Sequence, residues 1–229
     1  MNEILKKNLQ SIRERIDNAA QGSGRNGSDV KLIGVTKYVD VEETEALVEA
    51  GCYSLGENRP QKLWEKSDAM DHPEIEWHLI GHLQRNKVKR TIEVANLIHS
   101  VDSVRLLKEI NKCSQEIGKT SQILLEFNLS GEEAKHGFVA EQLDAILDEI
   151  SKFESVQVRG LMGMGGLKSD ADQVRREFRK LREIRESASN LPSNVSLAEL
   201  SMGMSGDFEI AIEEGATMVR VGSLLFEGT

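Results

Sequence analysis

Proline is scarce in this 229-residue chain, with three in all. No stretch rich in proline, glycine and serine divides it. One domain over residues 1–229 is the expected organisation. There are two cysteines, Cys52 and Cys113, far apart and in no CxxC pattern. Both sit among apolar residues, which points to buried thiols rather than to a disulfide or metal ligands. No run of about 20 apolar residues exists, so no membrane span is expected. Charges interrupt every apolar run in Met1-Asn2-Glu3-Ile4-Leu5-Lys6-Lys7, unlike a secretory leader, and a reducing cytoplasmic setting is the expectation. Positive charge is also in deficit. The formal net charge of −9 and a pI near 5.2 argue against broad contact with nucleic acid or an anionic membrane. A small basic site for one phosphate remains compatible with that balance.

What is present is a repeating alternation. Ile4, Leu5, Leu9, Ile12 and Ile16 recur at helical spacing and predict a helix over about 3–20. Gly22, Gly24 and Gly27 then end it. Eight short apolar runs follow, at 32–35, 52–55, 77–80, 97–101, 123–127, 158–162, 197–201 and 218–221. Amphipathic patterns separate them, for example Val174, Phe178, Leu181 and Ile184. Short buried strands alternating with helices imply a parallel sheet. Eight units suggest closure into a (β/α)8 barrel. The alternative is an open doubly wound sheet, but its GxGxxG fingerprint after an early strand is missing.

In such a barrel the functional groups sit at the C-terminal ends of the strands. Lys37 ends the first, in Gly34-Val35-Thr36-Lys37. With apolar neighbours behind it, its amine would be partly desolvated, which favours the neutral form that attacks an aldehyde to give an imine. The plainer reading is a strand-end lysine that reaches solvent. After the seventh strand comes Ser201-Met202-Gly203-Met204-Ser205-Gly206-Asp207, where Ser205 is placed as the N-cap of a helix whose amides face an anion. Plain capping is the alternative, and Asp207 in the first turn would satisfy the dipole itself. After the eighth strand, Arg220-Val221-Gly222-Ser223 offers a glycine for close backbone approach and a hydroxyl. Loops after strands seven and eight form the usual phosphate cradle of this barrel.

Three further patterns carry less. His78 and His82 have a metal-pair spacing, but Gly81 and the strand context oppose a shared helical face; His82 is expected at the mouth and the other in the core, with no metal. The run Gly163-Met164-Gly165-Gly166-Leu167-Lys168-Ser169 approaches a phosphate-loop pattern and fails it, because Leu167 stands where glycine precedes the lysine. It is read as a strand-end loop near a ligand. The basic cluster from Arg85 to Arg90 is read as a solvated helical face.

Taken together, Gly34-Val35-Thr36-Lys37, Gly56-Glu57-Asn58, Trp77-His78-Leu79-Ile80-Gly81-His82-Leu83-Gln84-Arg85-Asn86-Lys87, Gly160-Leu161-Met162 and Ser201-Met202-Gly203-Met204-Ser205 resemble the pyridoxal 5′-phosphate (PLP) homeostasis protein family, also called the YggS/PROSC family. The resemblance runs from the first strand to the end of the chain. It implies a barrel like the N-terminal domain of alanine racemase, with PLP held as a Schiff base on Lys37. It implies phosphate contacts at Ser205, Gly206, Gly222 and Ser223, and an arginine near the cofactor, Arg220, at either the pyridine nitrogen or the phosphate. Asn58, His82 and Met162 complete the expected cofactor-contacting set.

The family is described as carriers or regulators of vitamin B6 and amino-acid pools, without established catalysis. An arginine at the pyridine nitrogen would keep it unprotonated and weaken the ring as an electron sink. A racemase also needs a second acid/base on the opposite face of the substrate. The chain ends at Thr229, after the eighth strand, which leaves no room for a racemase-type second domain. The expected protein is therefore a monomeric PLP binder, with PLP-dependent apoenzymes or amino acids as candidate partners. The rivals are a small PLP-dependent racemase or decarboxylase, and a barrel enzyme in which Lys37 forms an imine with a phosphorylated substrate.

Overall fold

Strand after strand in this chain is buried on both faces, as in β4 (Leu97–Val101), where all five residues are buried. A strand buried on both faces needs a cover on each, and a barrel ringed by helices supplies it. A computed structural model describes residues 1–129, 136–166 and 169–229. The strands are β1 (Lys31–Val35), β2 (Ser54–Glu57), β3 (Glu76–Leu79), β4, β5 (Ser121–Phe127), β6 (Val156–Gly163), β7 (Val195–Met204) and β8 (Met218–Val221). They pair in parallel in chain order, and β8 returns to β1 through Ile33 opposite Arg220, closing the barrel.

Helices α1 (Asn2–Gly22), α2 (Val41–Glu49), α3 (Pro60–Ala69), α4 (Val88–Val94), α5 (Val104–Ile117), α6 (Leu143–Ile150), α7 (Ala171–Ser187) and α8 (Phe208–Glu213) ring the sheet. Their starts follow local chemistry. Asp40 accepts from the Glu43 amide ahead of α2, Ser103 caps α5, and Asp170 accepts from the Gln173 amide ahead of α7. Helix α1 buries Leu5, Leu9, Ile12 and Ile16 and packs against α2 and α8. Each such side chain contributes about 1.5–3 kcal/mol on burial.

Between helices and sheet lies the main apolar core, while Leu97, Leu124, Met162 and Met218 form a smaller cluster inside the barrel. Side chains two residues further along a strand point the same way, one layer nearer the mouth. By that rule His99, Glu126 and Arg220 lie above Leu97, Leu124 and Met218. Polar chemistry thus sits directly on an apolar floor.

The predicted strand boundaries hold closely for β1, β3, β4 and β8. The second strand lies at Ser54–Glu57 rather than 52–55, and β7 runs three residues past its expected end. Both cysteines are buried and free, as expected, and burial pushes the Cys52 thiol up to about 11. Among the described residues, no helix is long and apolar enough to cross a membrane.

Candidate functional site

Strand ends β1, β2, β7 and β8 surround a cavity of about 330 Å³ at the C-terminal mouth. Lys37, Asn58, Ser205, Gly206, Arg220, Gly222 and Ser223 all line it. Seven of the nine expected contact residues therefore converge on one space. The two others do not. Met162 is buried in the apolar floor with Leu97, Leu124 and Met218; Met164, two residues on, lines the cavity instead. His82 is exposed and lines a neighbouring cavity with Asp102 and Arg105.

Lys37 sits two residues beyond β1. It is exposed, and its Nζ lies 4.9 Å from the centre of the Tyr38 ring. Apolar Val35, Val39, Ile80 and Phe226 line the same cavity, and the Tyr38 ring adds an aromatic face beside the amine. The residues just before Lys37 and Asn58 are held rigidly. Buried Lys66 of α3 donates to Glu57 Oε1 at 2.6 Å and to the Thr36 carbonyl at 2.7 Å. Thr36 Oγ1 donates to the same Glu57 oxygen. Among the described residues, Glu57 Oε2 has no hydrogen-bond partner. Sequence reasoning missed this pair; its trace is a lysine at the apolar spacing of Leu63 in α3.

The loop after β7 departs from expectation. Ser205 is not a helix cap, because β7 continues to Met204 and α8 starts only at Phe208. Asp207 instead accepts from the Met204 amide, and Ser205 Oγ accepts from the Gly222 amide at 3.2 Å. That bond ties the loops after β7 and β8 together. Gly203 makes the turn possible: its φ is +91°, and a side chain there would meet the Phe208 backbone. At Gly222 a Cβ would stand 3.0 Å from the Val35 carbonyl, so the loop after β8 lies tightly on β1.

Arg220 is the deepest charge in the cavity, only 4% exposed. Burial lowers its pKa to about 10, opposed by Asp207 and Glu126, so it remains a cation at neutral pH. Among the described residues no carboxylate pairs with it directly. It donates to Ser201 Oγ at 2.6 Å and to the Gly163 carbonyl at 3.0 Å. Ser201 Oγ shares a hydrogen bond with His99 Nδ1 (2.8 Å), and His99 Nε2 shares one with His78 Nδ1 (2.9 Å). His78 Nε2 stands 3.8 Å from Glu76, beyond hydrogen-bond distance, beside the Glu76–Lys31 ion pair. Burial lowers the pKa of both histidines, which keeps them neutral, so in each pair one ring nitrogen can donate and the other accept. The network runs from Arg220 at the mouth into the barrel interior. Its sequence signal is His99 at an inward position of an otherwise apolar strand.

The remaining patterns resolve simply. His78 is core and His82 is at the mouth, as expected. The glycine-rich loop after β6 borders the candidate cavity through Met164, as expected, while its Gly166 amide and Ser169 hydroxyl both donate to Glu177. Leu167 and Lys168 of that run lie outside the described residues. In the basic cluster Lys89 and Arg90 are paired on the surface with Glu116 and Asp68.

A closed parallel barrel with a lysine and a buried arginine at its mouth defines a class that sequence comparison also finds. Residues 7–229 match the family described as alanine racemase, N-terminal domain. Within that class, the chain belongs to the pyridoxal phosphate homeostasis protein family. It is 41% identical over 218 residues to the pyridoxal phosphate homeostasis protein of Aquifex aeolicus, covering 95% of each chain. The structure of PipY from Synechococcus elongatus without PLP superposes with a TM-score of 0.88 at 33% identity, covering 97% of this chain and 99% of that one. PipY with PLP bound superposes at 0.83 and 32% identity, with the same coverage.

Proposed function

We propose that this chain binds PLP in the mouth cavity and holds it as a Schiff base on Lys37, acting in PLP homeostasis. The observation that carries this is the convergence, in one cavity, of an exposed primary amine, a buried cation and two hydroxyl-bearing loops. The donor set matches the three parts of the cofactor. Lys37 Nζ takes the aldehyde. Ser205 and Ser223 supply hydroxyls and Gly206 and Ser223 amides for the phosphate, while Gly222, its own amide bonded to Ser205, lets the backbone approach closely. Arg220, held by Ser201 and Gly163 below those loops, would hold the pyridine nitrogen. A volume of about 330 Å³ lies at the small end of the roughly 300–1,000 Å³ usual for ligand pockets.

Bound PLP supplies an electron-poor ring that delocalises charge from the α-carbon of an attached amino acid. A cationic arginine keeps the ring nitrogen unprotonated and blunts that capacity. The reading is therefore a carrier or regulator in which amines reach Lys37 by exchange, without bond breaking at the α-carbon. It acts as a monomeric single domain in the cytoplasm, where two free thiols are stable, with amino acids or PLP-dependent apoenzymes as partners. Residual Arg85 and Arg105 charge is too local, in a chain of net charge −9, to support nucleic-acid binding.

The test has two arms. The purified protein should show imine absorbance that vanishes in Lys37→Ala. Incubated with L-alanine in deuterated water, the loaded protein should leave the α-proton in place by NMR. Imine absorbance persisting in Lys37→Ala would refute the attachment. Rapid Lys37-dependent deuteration would make the protein an enzyme.

A further inference from the structure

Next to the cofactor cavity, three consecutive strand ends bring a second set of groups together. His82 follows β3, Asp102 follows β4, and His136 lies in the segment after β5. Asp102 Oδ2 stands 3.2 Å from His82 Nδ1 and 3.6 Å from His136 Nδ1. The two imidazoles stack, with ring centres 4.7 Å apart and planes 22° apart. One candidate ligand atom from each residue falls within 4.8 Å of the others.

We propose that His82, Asp102 and His136 form a binding site for a divalent transition metal of the zinc, cobalt or nickel kind. Ligand atoms about 2.1 Å from a tetrahedral ion stand roughly 3.4 Å apart. The two measured separations from Asp102 bracket that value. Two imidazoles and one carboxylate select borderline ions over calcium or magnesium, which prefer all-oxygen cages. Asp102 is fixed, with its side chain 7% exposed, while the imidazoles are 49% and 69% exposed. The carboxylate is thus preformed, and the exposed imidazoles would turn out of their stack, planes now 22° apart, to aim both Nδ1 lone pairs at one ion. His82 and Asp102 also line a cavity of about 490 Å³, which leaves room for a water or a small anion as fourth ligand. A bound ion would clasp the segment after β5 to the ends of β3 and β4.

The competing explanation is a hydrogen-bonded His–Asp–His cluster with no metal. Cobalt distinguishes the two. Tag-free protein carrying Lys37→Ala, which removes PLP as a chelator, is titrated with Co²⁺ and followed by visible d–d absorption, and with Zn²⁺ by calorimetry. The proposal expects one equivalent bound with an intense four- or five-coordinate cobalt spectrum. His136→Ala, an exposed position with little burden on folding, should weaken binding by at least roughly tenfold, and Asp102→Asn likewise. His72→Ala, at an exposed histidine away from the cluster, should change nothing. Binding of equal strength in wild type and His136→Ala, or no ordered cobalt spectrum, would overturn the proposal and leave a hydrogen-bonded cluster.

Discussion

The two halves of the barrel mouth are built with opposite chemistry. Around β7, β8 and β1 the groups are an exposed lysine, a buried arginine, two serines and small residues that let backbone close in. Around β3, β4 and β5 they are two imidazoles, Asp102 and Glu126, whose pKa burial and Asp102 push up to about 7. One half suits an anion with an aldehyde; the other suits a cation. A chain with net charge −9 forms an anion site by concentrating positive potential in one cavity, with Arg220 held as a cation by distant carboxylates rather than by a direct partner.

Four changes sharpen that contrast, the largest effect first. Lys66→Met leaves Glu57 buried and unpaired beneath the anion half. It should cost about 3–5 kcal/mol in chemical denaturation, and adding Glu57→Leu should recover much of the loss. Recovery failing entirely would mean that the lysine matters for shape rather than charge. Arg220→Gln should weaken PLP roughly hundredfold (about 3 kcal/mol) and shift the bound-cofactor absorbance. A loss of affinity with an unmoved band would place the arginine at the phosphate. Ser205→Ala and Ser223→Ala should each weaken PLP about tenfold, or about 1.5 kcal/mol, and leave pyridoxal untouched. Equal losses for both ligands would separate these serines from the phosphate.

The smallest effect concerns pH. His99 and His78 have folded-state pKa values depressed by burial below the ordinary 6.5, with Glu76, Lys31 and Arg220 the charged groups around them. The unfolded chain therefore binds more protons just below pH 6.5. Stability is full above 6.5 and falls as pH drops, by at most about 1.4 kcal/mol per pH unit for each histidine. His99→Asn should flatten the slope of denaturation midpoint against pH between 6.5 and 5. An unchanged slope would show that His99 takes up its proton alike in the folded and unfolded chains.

Much of the anion half was legible in the sequence because strand ends in a parallel barrel have a known place. Lys37, Gly222 and Ser223 follow from the ends of β1 and β8, whereas Asn58 came only with the family resemblance, because the second strand was expected at 52–55 and lies at Ser54–Glu57. Met162 likewise came with the family resemblance rather than from a strand end, and its side chain lies in the apolar floor while Met164, two residues on, lines the cavity. Where strand ends were misjudged, so were residues. Reading β7 as ending at Ser201 made Ser205 a helix cap, whereas it joins two loops. The cation half was nearly invisible. His136 lies between β5 and α6, where no apolar period marks position, and only closure of the barrel brings it to Asp102. The buried Lys66–Glu57 pair was hidden by the habit of reading lysine as surface.

The most direct test of the anion half is to load the protein with PLP, reduce it with borohydride, and map the modified peptide by mass spectrometry. A single adduct on Lys37, absent when inorganic phosphate outcompetes loading, is the predicted result. An adduct on Lys66, Lys168 or any other lysine with Lys37 unmodified would contradict the account.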